Sequence, residues 1–383
     1  MSGLLRTISV AGVVAVFVAS TTLGAYLDSD YSGIDSSRPD PRPEVIRPIP
    51  LPRPFPESRN PVTDLIRRVE VGSPYRYAGL TVFPLLVSRA VSREDIRSLD
   101  EALRNDWIII REKDNAQVSE LHVRNESRHM VFLMAGEIVA GGRQNRVIRE
   151  DVLLPARSGF VEVPVYCLEQ ERWEGKAQTF SSPESMAHQG LRQSAVAGDS
   201  QDIIWKEAAA KAESVGVSSK TRNYQEIYES RDVRSRIDNA VSRFDRFVRR
   251  DTIGAVAVVG DQIISCDIFS DPGLFSRLWT KLCRSYALED ISAVDGDARR
   301  WRNYSTSLSA RDVERFLSDA LRADYDYRST PGGGRAVRIG GAVNGAAIIW
   351  DSEAVHAAMF PGFRSSPRPV PIPMPGMRAP LIE

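Results

Sequence analysis

"MVFLMAGEIVAGGRQNRVI", residues 130–148, sets two apolar, strand-like runs on either side of a glycine pair. Residues 130–137 and 144–149 read as adjacent strands, with the chain turning between them at Gly141-Gly142. Runs of the same texture surround this stretch: "WIIIRE", "SELHVRN", "QNRVIREDVLL" and "GFVEVPVYCLEQ", punctuated by "KDN", "NES" and "PARSG". Strands this short, broken at such regular intervals, predict a β-sandwich or barrel-like sheet in the first half of the chain.

On the N-terminal side, "LTVFPLLV" (80–87) reads as a strand whose Pro84 calls for an edge or a bulge. "SREDIRSLDEALRNDW" (92–107) has Ile96, Leu99 and Leu103 at helical spacing behind a Ser92 cap, and predicts a helix. On the C-terminal side, residues 179–200 are polar, small and weakly patterned, and read as a long loop or flap. "SQDIIWKEAAAKAESVGV" (200–217) predicts a helix with Ile203, Ile204, Trp205 and Ala208 on one side. The following stretch to Arg250 predicts a helix broken near Ser230. "GAVAVVGDQIISCDIF" (254–269) predicts a hairpin turning at Gly260-Asp261. Helices are expected over 270–288 and 309–321, then strands in "RAVRIG", "GAAIIWD" and "AVHAAMF". The class is therefore α+β, with a short-stranded sheet first and helices with a hairpin-containing sheet second.

Residues 7–27, "TISVAGVVAVFVASTTLGAYL", carry no charge and follow Arg6, so residues 1–27 read as a signal peptide or membrane anchor, with "Val18-Ala19-Ser20" fitting a small-x-small cleavage site. The proline-dense 28–63 segment reads as a semi-rigid linker, or as a docking segment for a partner groove. Residues 64–360 are the expected folded domain, β-rich over 64–175 and helical with β over 176–360, and 361–383 a proline-rich disordered tail. These features point to an extracytoplasmic location, with membrane contact through the N-terminal segment alone.

Fifty basic and 50 acidic residues leave no net charge, which argues against a nucleic-acid partner. Cys167, Cys266 and Cys283 lack C-x-x-C spacing and the four histidines are scattered, so the pattern supports no metal site, and no cofactor motif is present. The cysteines read as small buried hydrophobes, and His356, inside "AVHAAMF", as a satisfied, partly buried histidine. Gly332-Gly333-Gly334 reads as a flexible loop.

The polar residues around the glycine pair are the site candidates. Strand alternation puts Gln144 and Arg146 on one face, and Cys167 and Glu169 on one face of the later strand. If those strands are neighbours, Glu137, Glu169, Arg146 and Gln144 line one hollow, with the carboxylates as acid and base and the arginine holding an anionic group. The alternative is a cross-strand ion pair, Glu137 with Arg146, on a wet sheet edge. Trp173 and Trp205 are either pocket walls for a flat ligand or core.

In order, "AGEIVAGGRQNRVI", "VPVYCLEQERW", "DIIWKEAAAKAESVGVSSKT" and "DIFSDPGLFSRLWTKLCRSYALE" resemble an uncharacterised bacterial domain family named for its association with ADP-ribosylglycohydrolase and rhodanese-phosphatase-superfamily proteins. The resemblance spans Val69 to Phe360. The matching positions are Glu137, Gly141, Gly142, Gln144, Arg146, Glu169, Arg172, Trp173 and Trp205. It implies company with enzymes of nicotinamide- or ADP-ribose-derived nucleotides, and no mechanism. Two functions are carried forward. One is an exported or tethered module binding a small-molecule or cell-envelope ligand. The other is a hydrolase of a nucleotide, ADP-ribose or sugar-phosphate compound that uses Glu137 and Glu169.

Overall fold

The proline-rich run ends in a helix. Asn60 accepts hydrogen bonds at Oδ1 from the Val62 and Thr63 N–H groups (3.0 and 3.3 Å), and Pro61 takes the first helical position, where its missing N–H costs nothing. Helix α1 (Pro61–Arg67) thus begins inside the expected linker. The structure is a computed structural model that describes residues 60–88, 96–112, 119–171, 177–295 and 306–362. The signal or anchor segment, the rest of the linker and the tail beyond Gly362 lie outside these residues. No helix among them is long and apolar enough to cross a membrane.

After α1 come β1 (Glu70–Val71), β2 (Tyr75–Tyr77), β3 (Leu80–Leu86), β4 (Ile96–Ser98) and α2 (Leu99–Arg104). A run of strands follows: β5 (Ile108–Glu112), β6 (Glu120–Asn125), β7 (Met130–Leu133), β8 (Ile138–Gly142), β9 (Arg146–Ile148), β10 (Val152–Leu154), β11 (Phe160–Cys167) and β12 (Ala177–Ser181). Helices α3 (Gln189–Ala197), α4 (Gln201–Ser214), α5 (Glu226–Glu229) and α6 (Arg231–Arg243) lead to the hairpin of β13 (Thr252–Val259) and β14 (Gln262–Phe269). Helices α7 (Pro272–Asp295) and α8 (Ala310–Leu321) precede β15 (Asp324–Arg328), β16 (Arg335–Gly340), β17 (Val343–Trp350) and β18 (Glu353–Pro361).

Three sheets form. The largest has the order β1-β3-β13-β14-β18-β17-β16-β15, with β2 also on β3. A six-stranded sheet, β12-β8-β9-β11-β6-β5, curls toward a barrel, and β10-β7-β4 lies beside it. The class is α+β, but β1, β2 and β3 join the sheet of the second half. Pro84 sits where β2, paired to residues 80–82, gives way to β1, paired to 85–86, so its missing N–H falls at a break in the neighbouring ladder.

Alternation assigns the cores. Leu80, Val82, Ala255 and Ala257 face a core shared with α3, α4, α6 and α7 and with Phe132, Ile138 and Val147 of the smaller sheets. Phe83, Leu85, Val256 and Val258 face the opposite way, against α1 and α8. A third core, including Val123, Val139, Val163 and Phe180, fills the curled sheet. Each buried Val, Leu, Ile or Phe side chain contributes on the order of 2 kcal/mol by leaving water.

Two expectations change. Residues 96–98 pair in parallel with β7, so the helix starts at Leu99; Ser98 closes a capping box with Glu101, and the expected cap Ser92 lies outside the described residues. The expected flap at 179–200 holds the end of β12 and all of α3. The turn at Gly332-Gly333-Gly334 is packed rather than loose: Gly333 donates its N–H to the Leu153 carbonyl (2.7 Å), and a Cβ on Gly332 would lie 2.3 Å from that oxygen.

Candidate functional site

Strands β5 and β12 are the two ends of the curled sheet, and no ladder joins them among the described residues. Between them lies a cavity of about 350 Å³, walled by Ile108, Ile110 and Phe180 and bounded by Asp100, Leu103 and Arg104 of α2. Ser182, just past β12, also lines it. That volume is at the small end of the range for ligand pockets, ~300–1,000 Å³.

Beneath the cavity is a buried charge cluster. Gly136 turns the chain out of β7 at φ +95°, and Glu137 folds back so that its Oε2 accepts the Met134 N–H (2.8 Å). Its Oε1 accepts from Lys281 Nζ (2.7 Å) of α7. The same ammonium donates to Asp100 Oδ1 (2.6 Å) and Ser182 Oγ (3.1 Å). Glu137 has no exposed side-chain surface and Lys281 has 2 %, whereas Asp100 keeps 11 %. Burial pushes the Glu137 carboxyl up, against the pull of Lys281. Burial alone would lower Lys281, but Glu137 and Asp100 outweigh it and hold the ammonium above its ordinary value. Lys281 is therefore a fixed cation and not a proton acceptor.

The polar residues of the glycine-pair hairpin gather elsewhere. Gln144 Nε2 donates to the Glu169 carbonyl (2.7 Å), and its Oε1 accepts from Arg146 Nη1 (3.2 Å) and Cys167 Sγ (3.1 Å). Arg146 also reaches Glu112 (3.3 Å), and Thr221 Oγ1 donates to Glu169 Oε1 (3.0 Å). Gln144, Arg146, Cys167 and Glu169 are all buried here, and Gln144 touches the main-chain carbonyl of Glu169 while the Glu169 carboxylate takes Thr221. Burial raises the Cys167 thiol, which disfavours its reactive anion. Gly141 (φ +141°) and Gly142 (φ +55°) end β8, where β12 and Glu112 approach too closely for a side chain.

Glu137 is not in that group. Its carboxylate faces Lys281 and Asp100, while Glu169 faces Thr221. Nor is Glu137 the cross-strand partner of Arg146, because the β8–β9 register sets Val139 opposite Arg146. Glu137 does acquire a second carboxylate, Asp100, bridged by the lysine. Trp205 lines a separate cavity of about 430 Å³ with Gln170, Asn223 and Tyr224. The buried face of α4 is Ile204, Ala208 and Lys211, so Ile203 and Trp205 turn off it. Arg172 and Trp173 lie outside the described residues.

A second buried network was not foreseen. Arg192 of α3 grips Asp267 with two donors (2.6 and 3.1 Å), and Tyr286 donates to Asp267 Oδ2 (2.6 Å). His356 joins Asp267 (3.4 Å) to Asp151 (2.6 Å), and Asp151 accepts the Ala135 N–H (2.8 Å). Burial opposes the Asp267 charge, but Arg192 and His356 hold its carboxyl well below the usual range. Burial likewise opposes the His356 cation, yet Asp151 and Asp267 raise it to about 9. A signal existed at His356, which interrupts the apolar strand face of Ala354, Ala358 and Phe360, and an ionised group in such a place requires a partner.

A family model, the ARG and Rhodanese-Phosphatase-superfamily-associated Protein domain, matches residues 68–360. The chain belongs to this family. The ARPP-1 domain therefore takes in every strand from β1 onward and both buried charge networks. It is the family that the ordered motifs resemble. No curated protein and no solved structure matches the chain. Among the described residues of this ARPP-1 domain, no group of three or more His, Cys, Asp or Glu side chains is disposed to hold a metal ion.

Proposed function

We propose that the folded unit is a small-molecule-binding module, exported or membrane-tethered, whose ligand occupies the seam between β5 and β12. One observation carries this reading: two residues of the cavity wall, Asp100 and Ser182, are held by a single buried ammonium that is itself anchored by Glu137. A pocket with apolar walls and a few fixed polar groups at one end is the usual form of a ligand site. Perturbed titratable groups beneath it add weight. The uncharged segment over residues 7–27 supports export or tethering.

The hydrolase reading has less support. An acid or base must come within hydrogen-bond reach of its substrate, and Glu137 is fully enclosed and committed to Lys281 and Met134. Glu137 instead acts as a positioning residue for Lys281.

The test is a thermal-shift screen of the full-length chain against nucleotides, ADP-ribose, sugars and amines, repeated on Leu103→Trp, which fills the cavity from its half-buried rim. Ligands that raise the melting point of the native chain should lose that effect in the variant. Shifts that survive the filled pocket would sink the proposal.

A further inference from the structure

The seam pocket has a chemical bias that narrows its ligand. This inference rests on the seam being the binding site. Counting the lining together with the cluster beneath, four carboxylates (Asp100, Asp106, Glu137 and Glu184) face two cations, Lys281 and Arg104. Both cations are engaged, Lys281 by Asp100 and Glu137, and Arg104 by Glu184 (3.2 Å). The local potential is therefore negative, which repels phosphate and carboxylate groups and attracts cations.

The free valences point the same way. Lys281 occupies Asp100 Oδ1, while Asp100 Oδ2 receives no hydrogen bond from the described residues, and the carboxylate retains some exposed surface. Ser182 Oγ accepts from Lys281 Nζ and from the Glu184 N–H (3.2 Å). The apolar part of the lining is Leu103, Ile108, Ile109, Ile110 and Phe180, and Arg104, Asp106, Thr179, Ser181 and Glu184 complete it. A ligand that satisfies both ends carries a cationic donor for Asp100 and an aliphatic body for the apolar walls.

We infer that the seam pocket binds an amphipathic primary amine, with the ammonium on Asp100 and the alkyl chain between β5 and β12. The Asp100 carboxylate then bridges two ammonium groups, the ligand's and that of Lys281. An ammonium–carboxylate hydrogen bond in a partly dry site is roughly twice as strong as a neutral one. A neutral isostere binds less tightly, and an anionic one meets repulsion.

Isothermal titration of the full-length chain with hexylamine, hexan-1-ol and hexanoate tests this. Hexylamine should bind at least about tenfold more tightly than hexan-1-ol, and hexanoate more weakly than either. The preference should shrink at high ionic strength. Asp100→Asn should remove it. Because that change also touches Lys281, Glu184→Gln on the exposed rim is the second variant. It should weaken hexylamine a few-fold and leave hexan-1-ol unchanged. Equal binding of amine and alcohol, a preference for hexanoate, or amine binding that persists in Leu103→Trp would overturn the inference. If other ligands bind, and lose binding in Leu103→Trp, while hexylamine does not bind, the pocket stands and the amine assignment falls.

Discussion

Lys281 stays charged in the interior because its three protons have three acceptors, Asp100, Glu137 and Ser182. Removing one member of such a cluster leaves charge buried without compensation, which is costlier than never having buried it. The Arg192–Asp267–His356–Asp151 network obeys the same rule, and its histidine makes it measurable. His356 is raised from an ordinary 6.5 to about 9, so folding favours the protonated form. The stabilisation is complete below about pH 6.5 and is lost as pH rises through about 9. Its size is on the order of 3 kcal/mol, given about 1.4 kcal/mol for each tenfold change. Urea unfolding from pH 6 to 9.5 should show this decline in the native chain and a flatter profile in His356→Gln. Parallel profiles would mean that the imidazolium is not the group responsible. Other buried groups titrating near the top of this range act in both proteins and cancel.

Elements, more than single side chains, decide where the seam opens. Strand β12 is held to β8 at Gly141, Gly142 and Ala140, with an irregularity between Ala177 and Phe180. Gly141 permits the approach: a Cβ there would sit 2.3 Å from the Thr179 carbonyl, and its φ of +141° disfavours any L side chain. Gly141→Ala should therefore cost about 1–3 kcal/mol and loosen β12, with faster amide exchange over residues 179–181. Unchanged exchange there would show that β12 is held by other contacts. Helix α2 forms the end wall, and its start illustrates a limit of periodicity. Ile96, Leu99 and Leu103 have helical spacing, yet residues 96–98 pair with β7. Three apolar positions cannot tell a short buried strand followed by a helix from one longer helix. Where the local signal had its own chemistry, reading and structure agree. The break at Ser230, the turn after Val259 and the start of the helix expected over 309–321 all appear.

The β-rich first half and the mixed second half of the folded unit share a core. Leu80 and Val82, near its start, share a core with Ile348 and Val355, near its end, and with Phe132 and Val147 between them. Strand β3 pairs directly with β13. The full chain should accordingly unfold in a single calorimetric transition, and fragments divided near residue 175 should not fold alone. Two separated transitions would contradict the shared core.

The residue pattern was enough to specify an α+β chain, most strand and helix positions, and the family. Those features are written in local spacing, in turn and cap chemistry, and in the pairing of strands a short way apart. The partner of each buried charge was not readable. Glu137 and Lys281 are 144 positions apart, and His356 and Asp151 are 205 apart. A charge in an apolar run announces that it needs a counter-charge but carries no address for it. Which one it meets depends on sheet order and helix packing, and these follow from the burial of the whole hydrophobic surface at once rather than from any single stretch.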